Sequence, residues 1–211
     1  MLNLSNPATI ETYSCNFHTD NTPNSKYPVL VYRNVLNKEF LNAATTEEDK
    51  VIQLNESLLP NGWSAEQTWG TSLNTHYHYN VHEAYFVIQG SSTLILGLDV
   101  TIIPSNNEDN FQNLSNKSYL EITLNTGDLI ILPAGVSHCS SKYNEKYRYI
   151  GAYPTNGEHW KSIAKVHIER AKPLQYDNSF DIDISKNVKL PDSDPIYGNL
   201  PHTLLDIWRS Y

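Results

Sequence analysis

His76, His78, Glu83 and His138 are the residues of this chain best suited to chemistry. They stand in two short stretches, His76-Tyr77-His78-Tyr79-Asn80-Val81-His82-Glu83 and Gly127 through His138. Three imidazoles and a carboxylate are an ordinary donor set for a divalent transition metal. The i, i+2 spacing of His76 and His78 puts both rings on one face of a strand. Glu83 opens the apolar run Ala84-Tyr85-Phe86-Val87-Ile88, where an inward carboxylate is costly unless it meets a cation or a donor. It is therefore read as the oxygen ligand.

Three neighbours of these residues need separate readings. His82 adjoins Glu83 and by alternation points the other way, so it is read as a pocket-rim residue, a support for the ligands, or the alternative to Glu83 as fourth ligand. Tyr85 and Val87 share the parity of Glu83 and are expected to line the pocket. Cys139 sits beside His138, and alternation turns it away from the site. His138 itself follows Pro133-Ala134-Gly135, a turn that uses the fixed φ of proline and the backbone freedom of glycine.

Short apolar runs must supply the elements that hold these side chains. Val29–Tyr32, Val51–Leu54, Ala84–Ile88, Thr93–Leu96, Val100–Ile103, Tyr119–Leu124, Asp128–Leu132 and Tyr147–Ala152 read as strands, punctuated by Gly, Pro and Asn. Many short strands between turn signals argue for a β-sandwich or barrel. Helix is expected only at His159–Ala171 and Thr203–Arg209, the latter packing Leu204, Leu205 and Trp208 on the barrel. The Asn-rich stretch 105–118 reads as an exposed loop. A single domain, 1–211, is expected, with its core barrel at about 50–155 and loop-rich arms at 1–49 and 156–211.

Composition narrows the function. A net charge of −8 provides no basic face, so neither nucleic acid nor an anionic membrane is an expected partner. No apolar stretch approaches the ~18–20 residues of a membrane span. The N-terminus has no signal-like segment, and Cys15 and Cys139 allow one disulfide at most, so a cytoplasmic protein with free thiols is expected. The aromatic surplus (Trp63, Trp69, Tyr77, Tyr79) is assigned to packing rather than ligand contact. No phosphate-binding glycine loop, nucleophile elbow or Cys-x-x-Cys pair occurs.

The two stretches carry a resemblance. Gly70-(5)-His76-x-His78-(4)-Glu83-(6)-Gly90 resembles the first motif of the cupin superfamily at every fixed position. Gly127-(5)-Pro133-x-Gly135-(2)-His138 resembles the second. Lys142 departs from the usual Asn, at a position that is not a ligand, and residues 91–126 make a longer spacer than the shortest members have. Tyr27 through Arg33, Asn61-Gly62-Trp63, Gly151-Ala152-Tyr153-Pro154 and Leu190 through Gly198 extend the resemblance to the small YjlB-type cupins, a group without a settled activity. The resemblance implies an all-β, double-stranded β-helix or jelly-roll barrel, with His76, His78, Glu83 and His138 as metal ligands.

Function divides into three readings. The first is a metal-dependent enzyme on a small molecule, of oxygenase, decarboxylase or isomerase type, with one Fe, Mn, Ni, Zn or Cu ion. In that reading Glu83 becomes a general base if it is not tightly metal-bound. The second is a non-catalytic, metal-braced binding cupin. The third is a metal-free sugar-epimerase-like cupin. Uncovered strand edges make a homodimer the expected assembly.

Overall fold

A computed structural model describes residues 9–17, 19–43, 46–102, 119–171 and 179–211. Its strands are β1 (Ile10–Tyr13), β2 (Val29–Tyr32), β3 (Trp63–Trp69), β4 (His76–His78), β5 (Glu83–Gln89) and β6 (Ser91–Leu96). They continue with β7 (Leu120–Asn125), β8 (Leu129–Leu132), β9 (His138–Tyr143), β10 (Arg148–Pro154) and β11 (Ser162–Ala164). One antiparallel sheet has the order β1-β2-β8-β5-β10-β3, and the other has β11-β4-β9-β6-β7. The helices are α1 (Lys38–Ala43), α2 (Glu47–Leu58), α3 (Lys165–Ala171), α4 (Ser179–Lys186) and α5 (Leu204–Arg209).

The central strands β2, β5 and β8 of the larger sheet are buried on both faces, which is why they read as unbroken apolar runs. From β2, β5 and β8, the side chains Val29, Val31, Tyr85, Val87, Ile130 and Leu132 enter the barrel, where they meet Leu94, Leu96, Ile122 and Leu124 of the smaller sheet. Their alternates Leu30, Tyr32, Ala84, Phe86, Leu129 and Ile131 face outward against Leu54, Leu58, Leu205 and Trp208. The period-2 rule therefore sorts each strand between two cores rather than between core and solvent. The all-β barrel read from the sequence is the observed architecture, built from two antiparallel sheets.

Several local readings change. Val51–Leu54 is not a strand but the middle of α2. Thr46 and Asp49 cap that helix reciprocally, with Asp49 N–H to Thr46 Oγ1 at 3.0 Å and Thr46 N–H to Asp49 Oδ2 at 3.3 Å. Leu54 and Leu58, one turn apart, then fall on the buried side. Residues 100–102 form a turn, held by Val100 N–H on Thr22 Oγ1 at 2.9 Å and Ile102 N–H on the Asp99 carbonyl at 2.9 Å. The remainder of that stretch, like loop 105–118, lies outside the described residues.

The arms also carry structure. β1 and β2 join the larger sheet, so the barrel does not begin near residue 50. The expected helix at His159–Ala171 is split into β11 and α3, and α4 occupies part of the expected C-terminal arm. The short C-terminal helix forms as read, with Leu204, Leu205 and Trp208 buried and the Trp208 indole N–H on the Pro28 carbonyl at 2.9 Å. Among the described residues, no helix is long and apolar enough to cross a membrane.

Candidate metal centre

β4 is the shortest site-bearing strand, and both of its neighbours matter. β9 pairs with it at His76 opposite His138, while β11 sets Ser162 opposite His78 and Ala164 opposite His76. Alternation sends Tyr77 the other way, into a small cluster with Val100 and Ile163. Glu83 enters from the larger sheet, opposite Leu132 of β8. The turn before β9 is closed by Val136 N–H on the Pro133 carbonyl at 3.1 Å and tied to β4 by Gly135 N–H on the His78 carbonyl at 2.8 Å. The four side chains singled out by spacing thus converge from three strands and two sheets.

The tautomers follow from the partners. Each Nδ1 faces a backbone carbonyl, which can only accept: His76 on Asn74 at 2.9 Å, His138 on Val136 at 3.0 Å and His78 on Lys161 at 3.3 Å. The Nδ1 atoms therefore carry the protons, and the Nε2 lone pairs are left to face one another. The imidazole donors of His76, His78 and His138 all lie within 4.8 Å of one another. Glu83 Oε2 stands 3.2 Å from His78 Nε2 and 3.3 Å from His138 Nε2. Between neutral rings and a carboxylate these are lone pairs facing lone pairs, and neither Glu83 Oε2 nor His138 Nε2 has a hydrogen-bond partner. Such a buried cluster is stable only with a cation or proton at its centre.

Titration of the cluster shows the same demand for positive charge at its centre, met by a proton where no other cation stands. Burial, reinforced by the neighbouring His138 and His78, pushes His76 down to about 3, so this ring is neutral and available as a donor. Burial alone would raise the Glu83 carboxyl, but His78 and His138 outweigh it and hold the group well below the usual carboxylate range. His78 shows the reciprocal balance: burial opposes its protonation, and Glu83 raises it nonetheless.

The site also uses residues that the two motifs do not contain. Tyr153 donates its phenol to Glu83 Oε1 at 2.6 Å, so one carboxylate oxygen is fixed and the other faces the imidazoles. Parity along β10 could have revealed Tyr153 and Tyr149, since both alternate with the outward Ile150 and Ala152. Trp160, edge-on to His78 with ring centroids 5.4 Å apart, sits on a loop where no periodicity marks it. The donors open into a cavity of about 510 Å³ lined by Trp69, Tyr85, Tyr149, Tyr153 and Trp160, among others.

His82 lies on the side that alternation predicts, away from the cluster and from the alternative role of fourth ligand: its Nδ1 accepts the Ala134 N–H at 2.9 Å, and its ring lies 4.8 Å from that of Trp208. Burial pushes it down to about 4, and it borders a separate cavity of about 740 Å³. Alternation caused this, since adjacent strand residues face opposite sides of the sheet. Val87 lies in the apolar barrel interior and is not among the residues lining the cavity, whereas Tyr85 is. Trp69 is not only packing, since it forms part of the cavity wall, while Trp63 and Tyr77 are fully buried. Cys139 packs against Ile95 and Leu98, turned away from the donors, and both cysteines are free.

This chain has relatives among known proteins. It is 23% identical over 182 residues to an uncharacterised protein of Bacillus subtilis, YjlB, covering 86% of each. Among solved structures it resembles RmlC from Streptococcus suis in complex with dTDP-D-xylose (10% identity, 79% of this chain, 75% of that chain, TM-score 0.35). It also resembles HygX from Streptomyces hygroscopicus with nickel and 2-oxoglutarate bound (10%, 64%, 84%, 0.34). A third is Bacillus subtilis oxalate decarboxylase with Mn(II) centres (12% identity, 78% of this chain, TM-score 0.36), of which this chain spans only 36%. The family described as Cupin matches residues 29–175, both motifs included, and the chain belongs to the cupin family.

Proposed function

We propose that this protein is a metal-dependent enzyme acting on a small molecule, with one divalent transition ion held by His76, His78, His138 and Glu83. The observation that carries the reading is the convergence of unpaired lone pairs: three Nδ1 protons spent on carbonyls, and a carboxylate oxygen at 3.2 and 3.3 Å from two Nε2 atoms. The cavity beside them is within the size range of small-molecule sites. When bound, such an ion supplies Lewis acidity or a redox couple at positions the four ligands leave open. Tyr153 orients Glu83, the backbone carbonyls set the ring tautomers, and the aromatic walls keep bulk water from the donors. A cytoplasmic location and a homodimer are part of the proposal. The first is supported by the two free buried thiols, the second by strands such as β3 and β7 that end their sheets.

Elemental analysis of the purified chain tests the core of the reading. About one Fe, Mn, Ni, Zn or Cu per chain is expected, lost in the His138→Ala variant. A folded protein without affinity for any of these ions overturns it. The braced, non-catalytic alternative is separated by chelation: the melting temperature falls, yet no member of a broad substrate panel turns over.

A further inference from the structure

The cavity beside the donors has a marked wall chemistry. Trp69, Tyr85, Tyr149, Tyr153 and Trp160 border it, and its lips add Leu73 and Val166, which are 41% and 43% exposed. The rings brace one another. Tyr85 stacks on Tyr149 with centroids 3.8 Å apart, and Tyr153 lies at 24° to Trp160 with centroids 6.3 Å apart. Trp69 meets Trp160 edge-on at 6.2 Å. Trp160 is itself fixed by its indole N–H, which donates to Glu66 Oε2 at 2.9 Å. This leaves a stiff aromatic slot leading to His78.

Charge is distributed the opposite way. Among the described residues lining the cavity, none is Lys or Arg. The Arg148 guanidinium, close to Gly70, is spent elsewhere: it donates to the Tyr147 carbonyl at 2.8 Å and pairs with Glu47 at 3.6 Å. An anionic group on the body of a ligand would lose its water there and find no Lys or Arg in exchange, only the exposed His167 at the lip, whose Nδ1 accepts the Ala164 N–H at 2.9 Å. A flat apolar ring would instead gain burial and stacking of about 0.5–1.5 kcal/mol per ring contact.

We propose that the cavity binds an uncharged planar ring compound, anchored through one donor group at the His–Glu cluster and stacked along Trp160. This rests on the metal reading above, because the anchor needs an ion to hold it. The ring fills the slot between the lips, and the hydroxyls of Ser72 and Ser162 offer hydrogen bonds to neutral substituents.

The test uses the 211-residue chain loaded with Zn²⁺ and three hydroxamates with one shared chelating group: acetohydroxamate, benzohydroxamate, and benzohydroxamate bearing a para carboxylate. Calorimetric titration should give benzohydroxamate a Kd roughly tenfold below that of acetohydroxamate, with the para carboxylate abolishing the gain. Trp160→Ala should erase the advantage of the ring, bringing the Kd values of the two uncharged hydroxamates together, while Trp160→Phe keeps most of it. Equal Kd values for the two uncharged hydroxamates, or tightest binding by the carboxylate, overturn the proposal. Absence of Zn²⁺ uptake on metal analysis overturns the metal reading and this inference with it. Uptake with equal Kd values overturns this inference alone.

Discussion

Tyr153 and Glu83 are joined by a 2.6 Å hydrogen bond that divides the work of one carboxylate. Oε1 is held by the phenol, and Oε2 is left toward His78 and His138. The bond spans two neighbouring strands of the larger sheet, β5 and β10, so the sheet itself sets the angle of the carboxylate. Tyr153→Phe removes only the donor and keeps the ring against Trp160. Groups that orient metal ligands typically contribute 10–100-fold in affinity, so metal binding should weaken by roughly that factor. Competition against a chelator of known affinity measures it. Unchanged affinity would reduce Tyr153 to packing.

The imidazoles should be unequal in their structural cost. His76 and His138 donate through Nδ1 to the carbonyls of Asn74 and Val136, two residues back in their own segments, whereas His78 donates to Lys161 ahead of β11, so alanine at His78 removes a donor and an inter-strand strut together. His138 is 2% exposed and central to the cluster, and His138→Ala should abolish metal uptake. His82→Ala should leave metal content intact, because that ring packs on Trp208 outside the cluster. Parallel metal analysis of the two variants checks the contrast. Loss of metal in the His82 variant would contradict the placement of that ring.

How much of this was legible in the sequence depended on whether the cause was local. His76, His78 and Glu83 were readable because strand parity and motif spacing are local facts, and the same parity turned His82 and Cys139 away. The outer core was not readable in the same way. A strand buried on both faces loses the polar alternation that marks a surface strand, so β2 and β8 were visible as strands while the helix α2 that packs in the outer core with them was not. Val51–Leu54 misled because a β-branched run imitates a strand, and the deciding signal was Thr46 and Asp49 upstream. Trp160 stands on a loop without periodicity, and the carbonyls of Asn74, Val136 and Lys161 enter through the backbone, which no residue type announces.

Gly135 tests the second motif as a structural device. Its φ is +87°, and a Cβ there would stand 2.7 Å from the Asn24 carbonyl oxygen and 3.1 Å from Pro23 Cγ. Both the backbone conformation and the contact resist a side chain, and Asn24 is itself buried and bonded to the Gly97 carbonyl at 3.0 Å. Gly135→Ala should cost about 1–3 kcal/mol and lower metal content by displacing His138. Gly157→Ala, whose Cβ would meet Val81 at an ordinary 3.6 Å, should change stability by less than about 0.5 kcal/mol. Thermal unfolding of the pair decides it, and equal melting temperatures would refute the packing argument.

Asp194 gives the fold an alkaline limit. It is fully buried, with Oδ2 accepting the Tyr32 phenol at 2.5 Å and the Leu204 N–H at 3.2 Å, and Oδ1 accepting the Ile196 and Tyr197 N–H groups at 2.8 and 2.9 Å. Burial, and then the charge of Asp194, raises Tyr32 well above the usual phenol value of 10. The folded state therefore keeps a proton that the unfolded chain releases near pH 10. Stability from this group is fully present below about pH 10 and is lost as pH rises toward the folded value. Tyr85, Tyr147, Tyr149 and Tyr153 are raised by burial with the same sign. Tyr32→Phe should cost about 1.5–3 kcal/mol at neutral pH, the range for a hydrogen bond to a charged group. Its deficit should shrink as the pH passes 10, because the variant has no phenol to ionise at that position. Denaturant melts of both proteins between pH 7 and 11 measure the difference, and a deficit that stays constant or widens would remove Tyr32 from the account of alkaline unfolding.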